Sequence, residues 1–109
     1  MKRSDITISV SLDENQVPDK IKWKADGTQD ELAEAKAMML AFWDKKENNT
    51  MRIDLWTKDM LIDEMKQFFH QTLLTMADTF EKATGEAEMS RDLRDFCDYF
   101  ADRLQILSK

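Results

Sequence analysis

The stretch Thr28-Gln29-Asp30-Glu31-Leu32-Ala33-Glu34-Ala35-Lys36-Ala37-Met38-Met39-Leu40-Ala41-Phe42-Trp43-Asp44-Lys45-Lys46 decides the fold, because the chain on either side of it reads as strand. Thr28 with Glu31 matches a capping box, in which each side chain satisfies a backbone N–H at a helix start. Leu32, Ala35, Met39, Phe42 and Trp43 then recur at helical spacing. Lys45 and Lys46 suit the negative end of a helix dipole. The segment is expected to be a helix that crosses one face of a sheet.

Before it, Ile6, Ile8, Val10 and Leu12 alternate with Thr7, Ser9 and Ser11, the period of a half-buried strand. Asp13-Glu14-Asn15-Gln16 breaks the run. A second alternation sets Ile21, Trp23 and Ala25 against Lys20, Lys22 and Lys24, so a β-hairpin is expected. After it, Glu47-Asn48-Asn49 reads as a loop and Met51–Trp56 as a third strand. The longest helix is expected from about Met60 to Thr84, with Gly85 as a left-handed cap. Its apolar arc of Met65, Phe68, Phe69, Leu73, Met76, Ala77 and Phe80 is wider than one sheet needs, and Leu74 lies outside it. Ser90 is expected to cap a last helix striped by Met89, Leu93, Phe96, Cys97, Phe100, Leu104 and Leu107.

The order is thus β-β-α-β-α-α. A helix between the second and third strands returns the chain across one sheet face. The third strand would then run parallel to the second and lie antiparallel beside the first. The expected fold is α+β, one domain over residues 1–109: a three-stranded sheet of spatial order 2-1-3 with three helices packed on one face.

Composition narrows function. The 109 residues carry 16 Lys and Arg against 22 Asp and Glu, a net charge of −6. Nucleic acid is not an expected partner, since its binding rests on phosphate neutralisation. One cysteine suits a reducing compartment. The start, Met1-Lys2-Arg3-Ser4-Asp5, lacks the apolar stretch of a signal peptide, and no run approaches a membrane span. A cytoplasmic location is the expectation.

Parity places Thr7, Ser9, Ser11, Lys20, Lys22, Lys24, Arg52, Asp54 and Trp56 on the outward face of that sheet. A basic strip on an acidic protein is a candidate docking site for an acidic partner, and Trp56 a candidate anchor. The competing reading makes the lysines guards of an edge strand and tucks Trp56 under a loop. Of the eight methionines, Met39, Met51, Met65, Met76 and Met89 fall on expected core faces. Met38, with Leu74, sits off its helix's stripe and is a candidate partner contact.

His70, the one histidine, lies at the rim of the long helix's arc, two turns from Asp63. Asp95, Asp98 and Asp102 share a face of the last helix. Neither set has the spacing of a metal site or a catalytic base pair, so no metal, cofactor or catalytic residue is assigned. Cys97 falls inside an apolar stripe, where burial and inertness are expected. No phosphate loop, Cys-x-x-Cys, HExxH or GxSxG is present.

The runs Met51-Arg52-Ile53-Asp54-Leu55-Trp56-Thr57-Lys58-Asp59-Met60, Phe68-Phe69-His70-Gln71-Thr72-Leu73, Met76-Ala77-Asp78-Thr79-Phe80 and Arg94-Asp95-Phe96-Cys97-Asp98-Tyr99-Phe100, with the Asp13-Glu14-Asn15 turn and Pro18, resemble the GldC family of gliding-motility-associated proteins. The resemblance spans nearly the whole chain. It implies a cytoplasmic accessory protein linked to the gliding machinery, with no catalytic or cofactor motif to carry over. The leading expectation is a non-enzymatic adaptor or assembly factor that binds protein through Lys20, Lys22, Lys24, Arg52, Asp54, Trp56, Met38 and Leu74. A homodimer through the long helix's extra apolar width would be a further partner. The alternatives are a small-molecule or metal-binding domain using His70 and nearby carboxylates, and a peptide-holding chaperone.

Overall fold

A computed structural model describes residues 2–27 and 31–106. Three of the four capping-box positions, Thr28, Gln29 and Asp30, and the last stripe position Leu107 lie outside the described residues. The elements follow the order β-β-β-β-β-α-α and fall into two compact units, Met1–Met60 and Leu61–Lys109.

In the first unit β1 (Ile6–Leu12) and β2 (Pro18–Ala25) form the expected antiparallel hairpin, with Ile8 opposite Trp23, Ser9 opposite Lys22 and Val10 opposite Ile21. The turn is organised by Asp13. Its Oδ1 accepts from the backbone N–H groups of Asn15 at 2.8 Å and Val17 at 3.0 Å, while Gln16 adopts a positive φ of 64°. An aspartate side chain that mimics a backbone acceptor is a common way to close such a loop.

The stretch expected to be a helix is strand. Ala33–Ala35 forms β3, antiparallel to β2, and Ala37–Trp43 forms β4, antiparallel to β5 (Thr50–Trp56). Only Lys36 separates β3 from β4. One run of chain thus leaves the three-stranded sheet β1-β2-β3 and enters the two-stranded ribbon β4-β5. The expected 2-1-3 sheet with three helices on one face is overturned: the described residues form two sheets and two helices, every ladder among them is antiparallel, and β2 lies between β1 and β3.

The physical reason is local. Ala37-Met38-Met39-Leu40-Ala41-Phe42-Trp43 is a continuous apolar run, which fits a helix or a strand equally by periodicity. Its alanines, Glu34 and Lys36 favour helix by propensity. Flanking strands decide otherwise, because a strand here gives both β2 and β5 an antiparallel partner through short connections. Tertiary pairing overrides a propensity worth tenths of a kcal/mol per residue (~0.1–0.7).

The joint at Lys36 is held by Thr57. The Thr57 N–H donates to the Lys36 carbonyl at 2.7 Å, and the Lys58 N–H reaches the Pro18 carbonyl at 3.3 Å. The Thr57 hydroxyl lies within reach of both the Lys36 carbonyl and the Asp59 carboxylate. Thr57 is only 2% exposed, and Ile21 of β2 is the buried apolar residue of this unit.

The second unit is a helical hairpin. The α1 helix (Ile62–Thr84) starts where Glu64 Oε1 accepts the Leu61 N–H at 2.9 Å, and it ends at Gly85, whose φ of 75° is the left-handed cap expected from sequence. Gly85 and Glu86 link it to α2 (Ala87–Arg103). Ser90 does not cap: α2 begins three residues earlier, and the buried Ser90 hydroxyl donates to the Glu86 carbonyl at 2.9 Å. Among the described residues Ala77, Ser90 and Cys97 are the hairpin's fully buried positions, so burial there is complete where side chains are small. Arg94 fastens α2 to α1 through Asp78 and Glu81, each at 2.9 Å. Phe69 of α1's wide apolar arc is exposed. Met76 and Met89, expected in the core, are exposed, and so is Met51 of β5.

Candidate functional site

On the β1-β2-β3 sheet, register and alternation put Thr7, Ser9, Ser11, Lys20, Lys22 and Lys24 on one face, as parity predicted. Lys22 faces Ser9 on one side and Glu34 of β3 on the other. Because β2 is the central strand, the lysines do not guard an edge; that reading depended on the 2-1-3 order. They form a basic stripe between the hydroxyls of β1 and the carboxylate of Glu34.

Arg52, Asp54 and Trp56 do not join that stripe. They lie on the β4–β5 ribbon, a different sheet from the lysines, on the face shared with Ala37, Met39, Ala41 and Trp43. Arg52 and Asp54, two apart on one strand face, bind each other through Arg52 Nη2–Asp54 Oδ1 at 2.7 Å and Arg52 Nε–Asp54 Oδ2 at 3.2 Å. This pairing raises the Arg52 pKa and leaves the pair nearly neutral as seen from outside. At the two ends of the same face stand Trp56, 55% exposed, and Trp43, 69% exposed. Trp56 therefore does not tuck under a loop. Trp43 was missed because a helical reading assigned it to an apolar stripe.

Met38 also changes meaning. In β4 it faces Leu55 and belongs, with Leu40, Phe42, Met51 and Ile53, to the ribbon's apolar face. Met38 and Leu74 are both half-buried.

A recess of about 450 Å³ opens beside the Lys36 joint. Its lining combines Lys20, Lys36 and Lys58 with Asp19, Glu34 and Asp59, and includes Ile21 and Thr57. Lys58, Asp19 and Asp59 are already engaged. Lys58 Nζ lies 3.1 Å from Asp13 and 3.9 Å from Asp19, which raises the lysine pKa. Asp13 is held below the usual carboxylate range by the Val17 N–H, by Lys58 and by the Asn15 N–H. The Thr57 hydroxyl keeps Asp59 low. Sequence reasoning found only Lys20 here; Thr57-Lys58-Asp59 read as a helix lead-in, and Lys36 was placed inside a helix.

His70 stacks on Phe100 of α2, ring centroids 6.3 Å apart and planes 14° from parallel. Among the described residues no three His, Cys, Asp or Glu side chains converge to hold a metal ion. Cys97 is buried, and that burial, with Asp98 nearby, pushes its thiol pKa up. Among the described residues no helix is long and apolar enough to cross a membrane.

Residues 18–106 match the model of one protein family, described as gliding motility-associated protein GldC-like. No curated protein and no solved structure matches the chain.

Proposed function

The chain belongs to the GldC-like family, and from that premise we propose that it is a non-enzymatic, cytoplasmic accessory protein of the gliding-motility system that binds a protein of that machinery as an adaptor or assembly factor. The observation that supports this is the β4–β5 face on which Trp43 and Trp56 stand exposed at either end of a self-neutralised Arg52–Asp54 pair. Exposed tryptophans are among the side chains that most often dominate binding energy, each hot spot being worth about 2 kcal/mol or more. A charge pair already formed between them costs less to bury on docking than two unpaired charges would.

Trp56→Ala and Trp43→Ala test the reading. Both variants should fold with melting temperatures near wild type, and each should weaken recovery of the gliding-machinery protein captured by the wild-type chain from its native host by tenfold or more. Unchanged recovery together with a large loss of stability would make the tryptophans structural and end the proposal.

A second reading, a peptide-holding chaperone, draws on the ribbon's other face, where Phe42, Met51 and Ile53 are exposed beside Met38. Methionine-bearing apolar surfaces adapt to varied partners. Suppression of aggregation of several unfolded clients would favour it; no effect on any would remove it.

A further inference from the structure

The β1 strand, Ile6–Leu12, reads Ile-Thr-Ile-Ser-Val-Ser-Leu, and among the described residues its ladder partner is β2 alone. Among the described residues the other side of β1 is a sheet edge. Natural edges are blunted by lysine, proline, charge or bulges, because an unprotected one templates pairing with another strand. The β5 edge of the ribbon carries Arg52 and Asp54. β1 carries no charge, proline or glycine over its seven residues, and its one register irregularity falls at the end, between Ser11 and Leu12. The lysines that could have protected an edge sit on the central strand instead.

We infer that β1 is an interaction edge whose occupant is β1 of a second copy, paired antiparallel about a two-fold axis at Ser9. The argument for a second copy is self-complementarity. A two-fold perpendicular to the sheet keeps both faces continuous and pairs residues of the same parity. Centred on Ser9, it sets Ile8 against Val10, Thr7 against Ser11, Ile6 against Leu12, and Ser9 against itself. Aliphatics meet aliphatics and hydroxyls meet hydroxyls, with no charge inside the seven-residue ladder. Centring on Ile8 or on Val10 would shorten the uncharged ladder to five pairs and set Ser11 against Asp5 or Thr7 against Asp13, whereas centring on Ser9 pairs all seven strand residues and leaves Asp5 and Asp13 to meet only beyond its ends. An edge without charge offers nothing to select a charged peptide. The sheet would grow from three strands to six. A single strand pair is smaller than a standard stable interface of about 1,200–2,000 Å², so the dimer is concentration-dependent.

Ser9→Glu separates this from any other dimer. In the protomer Ser9 faces Lys22, so the glutamate gains a cross-strand partner and the fold is kept. At the two-fold, two glutamates would meet, and the dimer dissociation constant should rise roughly five-fold. Mixing Ser9→Glu with Ser9→Lys should restore association as a heterodimer. Ser9→Cys should form an interchain disulfide on mild oxidation, while Thr7→Cys, whose partner is Ser11, should not. The wild-type chain, with Cys97 buried, should stay unlinked. A wild-type chain that is monomeric at every concentration by sedimentation, or a dimer indifferent to Ser9→Glu and unlinked through Ser9→Cys, would overturn the inference. Neither result bears on the Trp43–Trp56 face.

Discussion

Replacing Thr57 by valine removes one oxygen from a buried position and leaves the shape nearly unchanged. That oxygen sits at the joint where β3 becomes β4, within reach of the Lys36 carbonyl and the Asp59 carboxylate. A hydroxyl has one proton to give, so the loss is one good hydrogen bond, worth about 1 kcal/mol net and up to ~2 when the acceptor is charged. The Lys36 carbonyl keeps the Thr57 N–H at 2.7 Å and is not orphaned. Thr57→Val should therefore destabilise the strand unit by about 1–2 kcal/mol. Thr57→Ala should cost about 1 kcal/mol more for the buried methyl group. Trp23, Trp43 and Trp56 all lie on its strands, so tryptophan fluorescence in urea reports on that unit alone. At a slope of about 2 kcal/mol per molar, the midpoint should fall by roughly 0.7 M with the slope unchanged. The Asp59 carboxyl, followed by NMR, should titrate higher in the valine variant, because its lowering rests first on the Thr57 hydroxyl. A valine variant as stable as wild type, with Asp59 titrating as before, would refute the assignment of Thr57 as the joint's clasp.

Two further outcomes follow from local chemistry. Asp13's carboxyl is held low by the Val17 N–H, Lys58 and the Asn15 N–H. Its contribution is thus fully present above the unfolded value of about 3.9 and is lost as pH falls through the lowered native value. Stability measured between pH 6 and about pH 2 should fall less steeply in Asp13→Asn than in wild type; parallel curves would show that the loop carboxylate is not linked to folding. Gly85 sits at φ 75° with open space where a Cβ would go. Gly85→Ala should cost about 1 kcal/mol from backbone strain alone, and Gly85→Asn less, read as the loss of helical circular dichroism on heating.

Much of the architecture was legible where one signal spoke alone. The alternation of Ile6 to Leu12 and of Lys20 to Ala25 gave the hairpin and its faces, and Gly85 marked the end of α1 to the residue. Ala33 to Trp43 was illegible because two physical terms disagree there. Alanine, glutamate and lysine favour helix, and only the presence of β2 and β5 on either side, each needing an antiparallel partner, decides for strand. One local misreading then spread: it moved β2 to an edge, turned its lysines into guards, merged Arg52, Asp54 and Trp56 with them, and sent Met38 to a helix surface. Thr57, Lys58 and Asp59 were hidden for another reason. Their significance depends on the Lys36 carbonyl, twenty-one residues away from Thr57, and no local pattern announces a contact of that span.

The bent strand has a bearing on how errors are avoided. Because side chains alternate with period two, a one-residue slip in a ladder turns every side chain to the wrong face. Here β3 and β4 are one run of backbone interrupted only at Lys36, so a slip against β2 would be handed on to β5. It would turn Ala33 and Ala35 outward and, at the same stroke, exchange Met38, Leu40 and Phe42 with Met39, Ala41 and Trp43. Each hairpin thereby proofreads the alignment of the other, a form of quality control that two separate strands joined by a loose loop would not possess.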